Sequence, residues 1–226
     1  NDVHAIVSHR DAALVARYHD LVPMFDTMHE LFQILNKRRR RRGSIDFDLK
    51  EPELVLDDQG LVEAITAVER NVAHRIIEEF MLLANETVAA HLDEHVVPTL
   101  YRIHEEPDPV KVEQFEAFVA TLGRSLNAAP DDVKPRDFQK LVERIRGTPE
   151  EKPIAFLMLR TMQKARYDPS NLGHFGLAAK SYTHFTSPIR RYPDLVVHRT
   201  LRESRHGGMT EARNEELVED LPEIAR

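Results

Sequence analysis

Between residues 8 and 36, apolar side chains recur at steps of three and four: Leu14, Val15, Tyr18, Leu21, Val22, Phe25, Met28, Leu31, Phe32 and Leu35. That period predicts a long amphipathic helix, or two helices broken at Pro23, whose ring and missing N–H interrupt the hydrogen-bond ladder. Lys37, the run Arg38–Arg42 and then Gly43 predict its end. Cations suit the negative end of the helix dipole, and glycine accepts the left-handed turn beyond it.

The period then changes to two. Ile45, Phe47 and Leu49 alternate with Asp46 and Asp48, which predicts a strand. "ELVLDDQGLVEAITAVE" carries a turn at Asp57–Gly60 between β-rich runs, which predicts a hairpin. From Glu69 to about His95 the helical period returns through Val72, Ile76, Phe80, Leu83, Thr87 and Leu92. Within it "FMLLA" is apolar around most of the helix, so burial on more than one side is expected there. Pro109 opens another helix that Gly123 closes, and helices follow at roughly 135–146 and 153–165. "TLYRIHEEPDP" predicts a short strand, residues near 172–184 give strand-like pieces, and a last helix runs from Pro193 to about Arg202. Residues 203–226 read as a helical or flexible tail. The sum is a mainly helical α+β fold with a few short antiparallel strands, taken as a single domain over residues 1–226.

Composition narrows the class. At 226 residues, with 42% hydrophobic and 31% charged residues, the chain can bury a core and resembles ordinary globular proteins. Cysteine is absent, so neither a disulfide framework nor a thiolate metal site is available, in keeping with a reducing cytoplasm. No apolar run approaches the ~20 residues of a membrane span, so a soluble protein is expected. The net charge of −7 excludes an all-basic surface but still permits a basic groove for nucleic acid. The sequence opens at Asn1 without an initiator Met and stops soon after an acidic helical pattern, as a piece of a longer protein would.

"SYTHFTSPIRRYPDLVVHR", Ser181 to Arg199, holds the most specific chemistry. Ser187 before Pro188 suits a helix N-cap, which would put Arg190 and Arg191 in the first turn, where free N–H groups attract anions. Pro193 offers the other geometry: the helix starts anew there and leaves both arginines on a rigid two-proline turn. Either way two guanidinium forks match phosphate oxygens. Tyr182, His184, Phe185 and Tyr192 could stack on the bases of a single strand, or could simply be core aromatics beside solvated arginines.

Other candidates have blander alternatives. The basic run at 37–42 reads as a phosphate patch or as a solvated helix end. Asp46 and Asp48 read as a metal pair or as a solvated strand edge. "HLDEH", His91 to His95, matches the H-x-x-E-H zinc pattern but lies at a helix end with no third ligand in view. Glu78 and Asn85, seven apart, share one side of an otherwise apolar helix; a buried salt bridge or a bond to a ligand hydroxyl would each satisfy the carboxylate.

Several segments together resemble one family. "YTHFTSPIRRYPDLVVHR", "RNVAHRIIEEFMLLANETVAAHL", "LYRIHEEPDP" and "YDPSNLGHFGLAAKSY" are similar, in this order, to the ribonuclease II/ribonuclease R exoribonucleases, closest to ribonuclease R. The likeness spans nearly the whole chain and corresponds to the later two-thirds of the RNB-type catalytic domain. It implies processive, magnesium-dependent hydrolysis of single-stranded RNA from the 3′ end to nucleoside 5′-monophosphates. By resemblance, Arg190 would act on the scissile-region phosphate and be catalytic. Arg191, Tyr192, Ser187, His184 and Phe185 would line the RNA wall, and one of Glu78 and Glu79, with a slight preference for Glu78, would approach a ribose hydroxyl. The family's aspartate-rich metal motif is not in this sequence, so Mg²⁺ ligands are not expected in this chain and the piece alone is expected to be inactive. A non-catalytic helical module that binds RNA or another partner is the alternative.

Overall fold

A turn, rather than Pro23, breaks the first helical stretch. In the computed structural model, which describes residues 1–46, 52–67, 70–207 and 209–226, α1 (Asp2–His4) continues into a π-helical turn, Ala5–His9. Then come α2 (Ala12–Arg17) and α3 (Val22–Arg42). The Asp11 carboxylate caps α2 by accepting from the N–H groups of Ala13 and Leu14, both at 3.0 Å. Pro23 falls in the first turn of α3, where no intrahelical N–H is needed, so the helix continues through it. The arginine run does end this helix. Gly43 follows at φ +102°, where a Cβ would also press to 3.0 Å from that of Arg136.

The described residues form two compact units, one of Asn1–Asn36 with Asp46–Phe80, the other of Lys37–Ile45 with Met81–Arg226. In the first, β1 (Pro52–Leu56) and β2 (Val62–Ala67) make the predicted hairpin, with Leu54 opposite Ile65. Asp57 fixes its turn by accepting from Gln59 N (2.9 Å) and Leu61 N (2.8 Å). The strand predicted before it is not seen over residues 44–46, and Phe47, Asp48 and Leu49 lie outside the described residues.

Helix α4 (Val72–Glu94) buries Ile76, Glu79, Asn85, Ala89 and Leu92, a stripe at helical spacing. Met81 and Leu83 stay exposed, against the expectation that "FMLLA" is covered on several sides, because the buried stripe passes beside them.

In the second unit, β3 (Tyr101–Ile103) pairs antiparallel with β4 (Arg166–Asp168). The strand-like pieces expected near 172–184 are instead a 3₁₀ turn, Phe175–Leu177, and single bridges from His174 to His104 and Ala179. Gly173 at φ +72° and Ala178 at φ +49° bend the backbone out of any longer ladder. Helices α5 (Pro109–Thr121), α6 (Pro135–Ile145) and α7 (Glu151–Thr161) surround Phe115, Phe138 and Phe175, whose rings follow one another at 6.0 Å. Helices α8 (Tyr192–Arg205) and α9 (Glu211–Ile224) close a core of Leu92, Leu100, Val196, Val197, Leu217 and Leu221. The end of the chain therefore packs through Leu217 and Leu221 instead of trailing. Among the described residues, no helix is long and apolar enough to cross a membrane.

Candidate nucleic-acid interface

The second of the two geometries open at Ser187–Pro193 is the one observed. Pro188, Ile189 and Arg190 form a turn in which the Ser187 carbonyl accepts from Arg190 N (3.2 Å) and Arg191 N (3.1 Å). Arg191 is the extended N-cap residue of α8, and Pro193 occupies its first turn. Asp194 follows, fully buried, and its Oδ1 accepts from the backbone N of Ser187 (2.8 Å) and from Nη2 of Arg191 (2.7 Å). An acid in the first turn is what a helix N-terminus prefers; the signal was legible in the sequence, at position 194 rather than at the arginines.

The two arginines thereby differ. Arg191 is tied to Asp194 and its side chain is 23% exposed. Arg190 is exposed, and among the described residues its side chain has no hydrogen bond or ion pair. Its neighbours Ile189 (97%) and Tyr192 (57%) are exposed as well. A free guanidinium beside an open aromatic ring is suited to a phosphate with an adjoining sugar or base.

The other aromatics of the segment are occupied by protein. The Phe185 ring stacks on His198, and its N–H donates to Asn85 Oδ1 (2.9 Å). Asn85 also donates from Nδ2 to the buried Tyr182 hydroxyl, 3.0 Å away. His184 Nδ1 lies 2.7 Å from the Tyr167 hydroxyl, and the Arg102 guanidinium sits 4.7 Å over the Tyr167 ring. Burial, reinforced by the nearby Arg191 charge, pushes the His184 imidazole down to about 4. Burial and the neighbouring His104 push His174 to about 3. Both rings are therefore neutral near pH 7. Of the four aromatic candidates, Tyr192 is the exposed one; Tyr182 is buried, and His184 and Phe185 are half-buried.

Glu78 and Glu79 belong to the first unit. Glu79 is the buried one, 4% exposed, with Oε1 accepting from Asn36 Nδ2 at 2.9 Å. Glu78 is half-buried and takes the Arg70 fork, whose Nε donates at 2.9 Å. Arg70 also reaches Asp46 at 3.2 Å, so Glu78 and Asp46, one member of the aspartate pair, share one guanidinium. Asp48 lies outside the described residues.

The basic run is exposed at every position but Arg39, and three of its side chains are tied within the protein. Arg39 is buried and donates to Ser44 Oγ (3.2 Å), Arg40 pairs with Glu143 (2.7 Å), and Arg42 grips both oxygens of Glu86 (2.6 and 2.7 Å). Gln139 stitches the same end by donating to the carbonyls of Arg40 (2.9 Å) and Ser44 (3.0 Å). In "HLDEH" the two imidazoles lie 4.3 Å apart, with His95 Nδ1 2.7 Å from the His91 carbonyl. Among the described residues, no three His, Cys, Asp or Glu side chains gather as metal ligands.

Comparison with known proteins agrees over most of the chain. The RNB domain matches residues 1–206. Ribonuclease R of Aquifex aeolicus is 49% identical over 197 residues, covering 87% of this chain and 28% of that protein. Two structures of Mycoplasma genitalium RNase R are similar: one with ribose-methylated single-stranded RNA (TM-score 0.86, 31% identity, 91% of this chain and 32% of that one). The other, with double-stranded RNA, has a TM-score of 0.84 at 32% identity, over 88% of this chain and 36% of that one. The chain thus spans about a third or less of the Aquifex and single-stranded-RNA relatives. With the RNB match running through the two-proline turn and α8, the chain belongs to the RNB-domain family of ribonuclease R-like proteins.

Proposed function

We propose that this chain forms the RNA-binding wall of a ribonuclease R-type enzyme, a processive 3′→5′ exoribonuclease of the cytoplasm that hydrolyses single-stranded RNA to nucleoside 5′-monophosphates. One observation carries the reading: Arg190 is an exposed guanidinium with no hydrogen-bond or ion-pair partner among the described residues, on a turn pinned by the buried Asp194. A rigidly held fork costs little reorganisation when it meets a phosphate, and it stabilises the charge that develops there. Tyr192 offers its open ring to the adjoining nucleotide. The magnesium such hydrolysis uses would activate water and steady the leaving oxygen, from ligands outside the described residues. The chain by itself is accordingly proposed to bind RNA without cutting it.

The test is single-turnover cleavage of a 3′-labelled single strand by the full-length protein. Arg190→Ala is expected to slow cleavage by about 100-fold or more while RNA affinity changes only a few-fold. Cleavage within twofold of the parent would remove Arg190 from the chemistry. Full-length protein that binds RNA with magnesium present yet never cleaves it would favour the non-catalytic module.

A further inference from the structure

We infer that Asp194 is a positioning residue, which acts through Ser187 and Arg191 to hold Arg190 in the orientation that meets the RNA phosphate. This rests on the reading of Arg190 given above and assigns separate tasks to the adjacent arginines: Arg190 touches the substrate, while Arg191 is spent on Asp194.

The geometry is specific. Asp194 has no exposed surface, and one of its oxygens binds both the backbone N–H at the start of the turn (Ser187, 2.8 Å) and the guanidinium at its end (Arg191, 2.7 Å). The turn between those two bonds contains Pro188, Ile189 and Arg190, and the Ser187 carbonyl closes it from the other side. Every fixed point of the turn therefore surrounds Arg190 without touching its side chain.

Stability alone does not account for this arrangement. Asp194 Oδ2 and Arg191 Nε are both buried without a partner among the described residues. A buried ion pair with polar atoms left over is a poor way to stabilise a core, and an apolar pair of the same size would often do as well. It does fix a unique local geometry. Arginine serves better than lysine here, since its planar fork holds direction as well as charge.

A double-mutant cycle in the full-length protein tests the inference. Single-turnover cleavage and RNA affinity are measured for Asp194→Asn, Arg190→Ala and the double variant, with rates normalised to the folded fraction by circular dichroism. Asparagine keeps an acceptor for Ser187 N but surrenders the ionic bond to Arg191. Asp194→Asn is expected to slow cleavage on the order of tenfold or more, with affinity within about threefold. In the Arg190→Ala background the same change is expected to slow cleavage less than twofold, because the side chain being positioned is gone. Equal losses in both backgrounds, or no loss in either, would overturn the inference and leave the reading of Arg190 standing. If Arg190→Ala alone cleaves normally, that reading fails, and the inference with it. Should Asp194→Asn not fold, Arg191→Lys takes its place in the cycle: it keeps the charge opposite Asp194, loses the fork, and must show the same dependence on Arg190.

Discussion

Phe185 lies flat on His198, ring centroids 3.8 Å apart and planes 9° from parallel, while His198 Nε2 sits 2.8 Å from the Phe185 carbonyl. The contact joins the segment before the two-proline turn to the middle of α8. Phe185 also packs against the core of Leu92, Leu100, Val196 and Val197. One face of the ring is thus committed to the protein, and its place beside the candidate interface is structural before it is anything else.

Replacing His198 by Ala removes both the stack and the bond to the carbonyl. A loss of about 1–3 kcal/mol is expected, read as a lower urea midpoint with unchanged slope. His198→Gln, which can still donate to the carbonyl, should recover part of it. An unchanged midpoint in the alanine variant would mean that the stack contributes nothing.

Asn85 is the second tie. Its side chain, 3% exposed, joins the Tyr182 hydroxyl to the Phe185 N–H. Asn85→Ala strands two buried polar groups and should cost about 2–4 kcal/mol, whereas Tyr182→Phe strands only the amide hydrogen and should cost about 1–2 kcal/mol. Equal costs would show that the bond to Phe185 N is worth little.

How much of this could be read from the sequence depends on whether local chemistry decides. The Asp57–Gly60 hairpin, the Gly43 stop and the α5 start at Asp108–Pro109 are local: each needs a turn, a left-handed residue or a cap, and the residue types announce it. The arginine run was not legible in this way. Two of its charges, on Arg40 and Arg42, meet Glu143 and Glu86, more than 40 residues away in sequence, and no window around residues 37–42 contains those partners. The protein partners of Glu79 and Glu78, Asn36 and Arg70, likewise lie outside α4. At the two-proline turn the sequence narrowed the geometry to two forms, and burial of Asp194 selected one.

Acid should loosen the aromatic layer under this turn. The folded protein holds His184 near 4 and His174 near 3, both below the ordinary value of 6.5, chiefly because burial disfavours the charged ring. The unfolded chain therefore takes up protons first as pH falls through 6.5. The stability these neutral rings supply is complete above that point, declines toward pH 4 for His184 and toward pH 3 for His174, and then levels off. Chemical denaturation between pH 7.5 and 4.5 is expected to show a declining midpoint, with a shallower decline in His174→Gln. An identical pH dependence in that variant would exclude His174 as a cause.

Salt dependence would separate an arginine that meets RNA, as proposed for Arg190, from those already paired within the protein. If Arg190 meets a phosphate, removing it should flatten the slope of log affinity against log salt by about 0.7, the increment for one contact on a single strand. Arg40→Gln and Arg42→Gln should leave that slope unchanged, because their guanidinium groups already face Glu143 and Glu86. They should instead lower stability slightly, by about 0.5–1 kcal/mol each, since both pairs are partly exposed and screened by solvent. RNA affinity titrated at several salt concentrations, alongside urea denaturation of the same variants, measures both quantities. A flatter slope in the Arg40 or Arg42 variant, with stability unchanged, would return the basic run to the interface and reverse this division of labour.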